Sequence, residues 1–336
     1  MPRTGEAAMI LVTGAAGFIG SNLAAALNER GERALVLCDR LRNGGKWRNV
    51  RNRRFDDFVF PEDLPRWLEG ARGKVHAVVH MGAISSTTVS DGDAVMRANF
   101  QFSLMLLDWC AAAGVPFLYA SSAATYGDGA SGFDDVFTLE ALDSLTPLNL
   151  YGFSKHAFDC LVCRRQAAGE KLPPQYAGLK FFNVFGPNEL HKGAMQSVLT
   201  KVWPDIAAGR PVRLFRSHDA RYPDGGQMRD FVYVRDVERV VLWLLDNPQV
   251  SGLFNVGTGV ARSFKDFIGA GFAAAGLPEN IVYVDMPEEI RGKYQYFTQA
   301  NLAGLHAAGY PHAFTPLKDA VADYVRRHLV KDCPYR

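Results

Sequence analysis

Apolar positions along the chain fall into two kinds of run. Short unbroken stretches at Met9-Ile10-Leu11-Val12-Thr13, 34–38, 75–80 and 117–120 carry the pattern of strands buried on both faces. Between them, 94–113 spaces Met96, Phe100, Leu104 and Leu107 as a helix does. The stretch from Gly20 to Arg30 is also helical and stops at Gly31, a residue suited to end a helix. Strand–helix–strand alternation with short connections predicts a parallel sheet covered by helices. After Phe185 the rhythm loosens. Residues 186–195 are polar and turn-rich, and 216–228, with Pro223 and the pair Gly225-Gly226, predict a long exposed loop. A strand returns at Phe231-Val232-Tyr233-Val234, followed by a helix over 237–245 and a strand over 254–258.

Composition narrows the class. At 336 residues, 48% apolar and 21% charged, the chain has the make-up of an ordinary globular protein with room for a large core. Lysine and arginine total 37 against 35 acidic residues, and a net charge of +2 gives no argument for a nucleic-acid partner or a membrane surface. The apolar runs are far shorter than the ~20 residues of a membrane-spanning helix. Residues 1–8 contain one basic residue and no apolar core, so a flexible extension is expected there and not a secretory signal. The five cysteines (38, 110, 160, 163 and 333) are odd in number and scattered. Cys160 and Cys163 form a C-x-x-C inside a helical run. With no second pair to complete a zinc site, free thiols in a reducing cytoplasm are expected, and no metal.

Chemistry enters with Gly14, Gly17 and Gly20, which lie between the first strand and its helix. Glycines at that spacing allow a tight turn, close approach of a pyrophosphate and close helix packing, and the helix N-terminus then offers free N–H groups to the phosphates. Asp39, nineteen residues past Gly20 at the end of the second strand, suits the adenosine ribose hydroxyls of NAD. Arg40, Arg42 and Lys46 crowd the same corner and suit a 2′-phosphate, so the residues alone leave both dinucleotides open. Tyr151 and Lys155, four apart, project from one helix face. A nearby ammonium is expected to draw the phenol down from its usual pKa of ~10, and Ser122, at a strand end, can hydrogen-bond the reacting oxygen. The expected fold is α/β, a Rossmann-like doubly wound parallel sheet with a smaller, discontinuous C-terminal substrate domain. Residues 9–185 plus about 230–265 are assigned to the dinucleotide-binding domain, and about 186–229 plus 266–330 to the substrate-binding domain.

Over nearly its whole length the chain resembles the extended short-chain dehydrogenase/reductase superfamily. Further marks are His80-Met81-Gly82-Ala83, Asn99, Arg229-Asp230-Phe231-Val232-Tyr233-Val234 and Phe254-Asn255-Val256-Gly257-Thr258-Gly259. A narrower resemblance, to the ADP-glycero-manno-heptose 6-epimerases, rests on Ser85-Ser86-Thr87-Thr88, on the segment from Tyr119 to Gly127, and on Leu148-Asn149-Leu150-Tyr151-Gly152-Phe153-Ser154-Lys155. It also rests on Phe182-Asn183-Val184-Phe185-Gly186-Pro187 with His191-Lys192-Gly193, and on Tyr294-Gln295-Tyr296-Phe297-Thr298-Gln299-Ala300.

The resemblance implies that Tyr151 and Lys192 are an acid/base pair, that Lys155 supports Tyr151 and the cofactor ribose, and that Ser122 binds the reacting oxygen. It implies cofactor contacts at Gly14, Gly17, Phe18, Ile19, Gly20, Asp39, Arg40, Lys46, Met81, Gly82, Ala83, Ser85, Asn99, Lys155 and Val184. Substrate contacts are implied at Ser86, Asn183, Ala194, Lys201, Phe215, Arg229 and Tyr294. The implied cofactor is NADP rather than NAD. The implied reaction is inversion of carbon 6 of an ADP-heptose by oxidation to a ketone and re-reduction, for lipopolysaccharide core biosynthesis, in a cytoplasmic homo-oligomer, a pentamer by resemblance. The chain departs from the family pattern at Ala194, where serine is usual, at Arg40, and in the longer segment 216–228. A UDP-sugar 4-epimerase or nucleotide-sugar dehydratase is the nearest rival. Against a dehydratase, Ser122 is followed by Ala123 and Ala124 rather than an acid. A dinucleotide-binding sensor without catalysis is the second.

Overall fold

The computed structural model describes residues 9–42, 44–291 and 295–336. The apolar runs form β1 (Met9–Thr13), β2 (Leu35–Cys38), β4 (Val75–His80) and β5 (Phe117–Ser122). They are joined by β3 (Asp57–Val59), β6 (Tyr176–Phe181) and β7 (Gly252–Val256) in one seven-stranded sheet of order β7-β6-β5-β4-β1-β2-β3. Every pairing in it is parallel, so each strand end points the same way and each crossover places a helix on a face. The order reverses at β1, which lies between β4 and β2, and ligands of doubly wound sheets bind at that switch point.

Both faces are covered. On one, Leu23 and Leu27 of the helix Phe18–Glu29 pack with Val237, Val240 and Leu244 of the helix Val234–Asp246 against Val12, Leu37 and Val79. On the other, Leu106, Leu107 and Cys110 of Phe102–Ala113 and Phe158 and Val162 of Leu150–Ala167 pack against Leu11, Val78 and Phe117. Burying side chains of this size contributes roughly 1.5–3 kcal/mol each. A further cluster gathers Leu199, Ile206, Val212, Phe267, Phe272, Val321 and Tyr324, and reaches back to the sheet through Phe18, Phe185 and Phe231. Its strands pair in twos: Asn183–Phe185 with Phe231–Tyr233, and Val212–Phe215 with Ile281–Val284.

The helix over 94–113 contains an irregularity that its spacing does not announce. A π-helical turn, Met96–Gln101, separates Gly92–Val95 from Phe102–Ala113. Segment 216–228, expected as an exposed loop, is folded at both ends: Tyr222 lies 5.3 Å from Tyr296 ring to ring, Gly225 and Gln227 are buried, and the His218 N–H donates to the Tyr296 hydroxyl (3.0 Å). Cys38, Cys110, Cys160 and Cys163 are free and buried, and Cys333 is free and exposed. Among the described residues no helix is long and apolar enough to cross a membrane, and no cluster of ligating side chains could hold a metal ion.

Candidate active site

A cleft of about 1620 Å³ opens along the strand ends of β1, β2, β4 and β5. Its floor is the turn after β1. Gly14 has φ +63°, and a Cβ there would stand 2.6 Å from the Gly82 nitrogen and 2.7 Å from the Met81 carbonyl carbon. A Cβ on Gly20 would stand 2.2 Å from the Gly14 oxygen, so the helix Phe18–Glu29 rests directly on the turn. Gly17 is its N-cap and the first turn, Phe18-Ile19-Gly20-Ser21, is uncharged, which leaves backbone N–H groups and a partial positive charge facing the cleft. This cradle fits the pyrophosphate of a dinucleotide. Phe18, Ile19, Met81, Gly82, Ala83, Ser85 and Ser86 all line the cleft.

At the β2 end, the Asp39 carboxylate is buried and already engaged. One oxygen accepts from the Ala16 N–H (2.8 Å), the other from the Arg40 N–H (2.6 Å) and the Lys46 ammonium (2.5 Å). The Arg40 guanidinium turns aside to Glu62 (2.6 Å). Asn49, which sequence reasoning missed, ties this corner to the far side of the cleft. Its amide donates to the Ala16 carbonyl (2.9 Å) and to the Asn188 carbonyl (3.2 Å), and lies 3.1 Å from the His191 ring nitrogen Nδ1.

Asn99 does not line the cleft. The π turn brings it, fully buried, behind the loop after β4, where its amide donates to the Ile84 carbonyl (2.9 Å) and to Ser154 Oγ (2.9 Å) and accepts from the Ile84 N–H (2.7 Å). Its place is to hold the wall that Ser85 and Ser86 extend. His80 is likewise structural: it bridges Thr13 (2.6 Å) and Ser103 (2.8 Å), and burial holds its pKa well below the usual histidine range.

Tyr151 stands in the first turn of Leu150–Ala167, whose N-cap Asn149 accepts from the Gly152 N–H (2.8 Å). Ser122 closes β5 and caps the 3-10 turn Ala123–Tyr126, its Oγ accepting from the Ala124 N–H (3.1 Å), and it lines the cleft together with Tyr151. Lys155 follows one turn later, 3% exposed, and lines the same cleft. The expected lowering of the phenol pKa is not what the protein alone produces. Burial raises the Tyr151 pKa, and the Ser122 hydroxyl opposes the shift. Burial also draws Lys155 down to about 8, with Asp159 opposing, so the lysine is a weaker source of positive charge than its sequence spacing suggests.

Lys192 enters the cleft from the turn Leu190–Met195, its ammonium 4.8 Å from the Phe18 ring centroid. Burial lowers its pKa; Glu189 opposes the shift and Lys201 adds to it. The turn hangs on Glu189, fully buried, whose carboxylate accepts from the Ser197 N–H (2.6 Å), the Ser197 hydroxyl (2.7 Å) and the Thr200 hydroxyl (2.6 Å). The Glu189 carbonyl in turn accepts from the Lys192 N–H (3.0 Å). Asn183, Val184, Ala194, Lys201 and Arg229 line the cleft too, with the Arg229 guanidinium 5.7 Å from the Phe264 ring centroid. Phe215 sits at the end of Val212–Phe215, outside the lining, and Tyr294 lies outside the described residues. The structure thus brings Ser122, Tyr151, Lys155 and Lys192 to one cleft beside a dinucleotide cradle, in an enclosure larger than the ~300–1,000 Å³ typical of a single small ligand.

Residues 10–257 match the NAD dependent epimerase/dehydratase family. The chain is 48% identical over 336 residues to an ADP-L-glycero-D-manno-heptose-6-epimerase of Nitratidesulfovibrio vulgaris, covering 97% of this chain and 100% of that one. It superposes on the crystal structure of the Helicobacter pylori ADP-L-glycero-D-manno-heptose-6-epimerase with a TM-score of 0.79 at 28% identity, over 96% of each chain. The UDP-glucose 4-epimerase of Thermus thermophilus, solved in complex with NAD, gives a TM-score of 0.72 at 27% identity, over 95% of this chain and 99% of that one.

Proposed function

The chain belongs to the NAD dependent epimerase/dehydratase family, within its ADP-L-glycero-D-manno-heptose-6-epimerases, and we propose that it inverts carbon 6 of ADP-D-glycero-D-manno-heptose with NADP as resident cofactor, for lipopolysaccharide core biosynthesis. The observation that carries the reading is the pair Tyr151 and Lys192: two half-buried proton-transfer groups that reach one cleft from different elements.

The carbinol carbon to be inverted has no neighbouring carbonyl to acidify its hydrogen, so inversion requires a ketone. When bound, the nicotinamide supplies a hydride acceptor and returns the same hydride. The protein supplies the proton chemistry. The ketone presents opposite faces of its carbon in the two directions of the reaction, so its oxygen exchanges a proton in two different orientations, which a single acid/base group does not reach. Burial keeps Tyr151 in its phenol form and raises the neutral fraction of Lys192. One can therefore donate while the other accepts, each serving as base toward one epimer and as acid toward the other. Ser122, in the same cleft lining as the phenol, offers its hydroxyl to the reacting oxygen. Lys155 lies one helical turn from Tyr151, placed to bind a ribose hydroxyl.

The choice of NADP follows the family resemblance; at the β2 corner Asp39 already accepts from Ala16, Arg40 and Lys46, and both Arg40 and Lys46 line the cleft where a 2′-phosphate would lie. The test is incubation of the purified enzyme with ADP- and UDP-sugars in deuterated water, followed by NMR. Inversion at carbon 6 of the ADP-heptose with no deuterium at that carbon is expected. Turnover of UDP-sugars alone would overturn the substrate. Deuterium at carbon 6 would overturn the oxidation–reduction route.

A further inference from the structure

Behind Ser122, on the side away from the cleft, lies a second set of polar side chains that the chemistry above does not use. Asp159 and Lys180 are both fully buried. Asp159 continues the stripe of Tyr151 and Lys155 by another turn of the same helix, and Lys180 is the next-to-last residue of β6. Their charges meet at 3.3 Å. Each partner then reaches the end of β5 by its own route. The Asp159 carboxylate accepts from the Ser121 hydroxyl (2.6 Å) and the Tyr119 hydroxyl (3.2 Å). The Lys180 ammonium donates to Thr125 Oγ1 (2.5 Å) and lies 4.6 Å from the Tyr126 ring centroid, and the Thr125 hydroxyl donates to the Ser122 carbonyl (2.8 Å).

A buried ion pair is a poor way to stabilise a fold, because desolvation of both charges offsets most of their attraction and an apolar pair of similar volume does as well. What an apolar pair lacks is direction. Here every side-chain hydrogen bond of the pair ends on the strand-end segment 119–125: one holds Ser121, the residue before Ser122, and another holds Thr125, whose own hydroxyl donates to the Ser122 carbonyl.

We propose that Asp159 and Lys180 are positioning residues for catalysis: their ion pair sets the orientation of Ser122, which lines the cleft together with Tyr151. The inference rests on the reading in which Tyr151 transfers the proton. Asp159 has a second effect on the site, since its charge opposes the lowering of the Lys155 pKa by burial.

The test compares Lys180→Met, Lys180→Arg and the charge-free double variant Asp159→Leu/Lys180→Met. Two readouts are taken, steady-state epimerisation and hydrogen–deuterium exchange of 119–127. The second is independent of turnover, because the Ala124 N–H is held by Ser122 Oγ (3.1 Å). In Lys180→Met, kcat should fall at least tenfold with KM for the nucleotide sugar within threefold, cofactor content should be unchanged, and exchange at 123–127 should quicken. Lys180→Arg should return kcat to within threefold of wild type. The double variant removes both buried charges, so it keeps the test open if the single variant fails to fold; it should be as slow as Lys180→Met. A folded double variant with wild-type kcat, or unchanged exchange in both variants, overturns the inference. Wild-type enzyme that turns over no nucleotide sugar, with exchange responding as expected, overturns the proposed function and leaves the positioning of Ser122 standing.

Discussion

Gly20→Ala tests whether the first helix holds the cofactor phosphates. The new Cβ would stand 2.2 Å from the Gly14 oxygen, 2.8 Å from its carbonyl carbon and 3.0 Å from the Ala15 Cα, against 3.4 Å for ordinary contact. All three obstacles are backbone, so no side chain can swing aside; helix and turn must part by about 1.2 Å, the gap between 2.2 and 3.4 Å. Overpacking of this kind costs about 1–3 kcal/mol. With an unfolding entropy near 2.1 cal/mol/K per residue over 336 residues, Tm should fall by about 1–4 °C. The same displacement carries an N–H···phosphate contact of ~2.9 Å beyond hydrogen-bond range. Losing one charge-assisted bond of about 1.5–3 kcal/mol weakens dinucleotide binding by about 10- to 150-fold. Thermal unfolding and calorimetric titration of cofactor-stripped enzyme measure both effects. A variant with lowered Tm but dinucleotide affinity within twofold of wild type would refute the phosphate cradle. One with neither changed would refute the close approach itself.

Three further outcomes follow from the site. Tyr151→Phe should fold, keep its cofactor and lose turnover by ~10²-fold or more, measured by NMR on the nucleotide sugar; a near-normal rate removes Tyr151 from proton transfer. Lys192→Met should cut epimerisation by ~10²-fold or more with cofactor content intact, and a rate within tenfold of wild type refutes the two-group scheme. Burial holds His80, His191 and His328 neutral, His191 and His328 with pKa values lowered to about 4. Because the unfolded chain takes up these protons near pH ~6.5 and the folded chain does not, their contribution is full above that pH and is lost as pH falls toward about 4; a Tm that stays flat from pH 7 to 4.5 would refute this.

Strands announced themselves where burial coincides with unbroken apolar sequence, as at β1, β2, β4 and β5. β6 did not, because Lys180 interrupts Tyr176–Phe181, and its burial depends on an aspartate from a helix earlier in the chain. The glycine turn was readable, since its steric demand is local. Asn99 was readable as a marked residue, but the π turn that buries it against Ile84 and Ser154, behind the cleft wall, was not. Tyr151 and Lys155 were readable as neighbours, yet the direction of the Tyr151 shift was not, because desolvation outweighs the charge that helical spacing suggests. Neither Glu189 nor Asn49 carries a local signal. Their importance comes from contacts between segments that only the fold brings together.

Those contacts explain how the two halves of the site keep register. The helix Phe18–Glu29 points its N-terminus at the dinucleotide cradle, while its next residues face the segment that carries Lys192. Asn22 donates to the Pro187 carbonyl (2.9 Å), and the Asn188 amide donates to Ser21 Oγ (3.1 Å). Asn188 holds a left-handed backbone at φ +69°, which turns the chain so that Glu189 enters the core and Lys192 comes over the Phe18 ring. A single turn of helix, 18–22, is thus in contact with the cradle on one side and with the supports of the second acid/base group on the other. Tyr151 is placed separately, in the first turn of the helix Leu150–Ala167 that Asn149 caps. A displacement of the first helix therefore moves the dinucleotide cradle and Lys192 together while leaving Tyr151 where it was. On the proposed two-group scheme inversion needs both proton donors aligned to one hydride site, and the coupling between cradle and Lys192 then belongs to the machinery as much as either group.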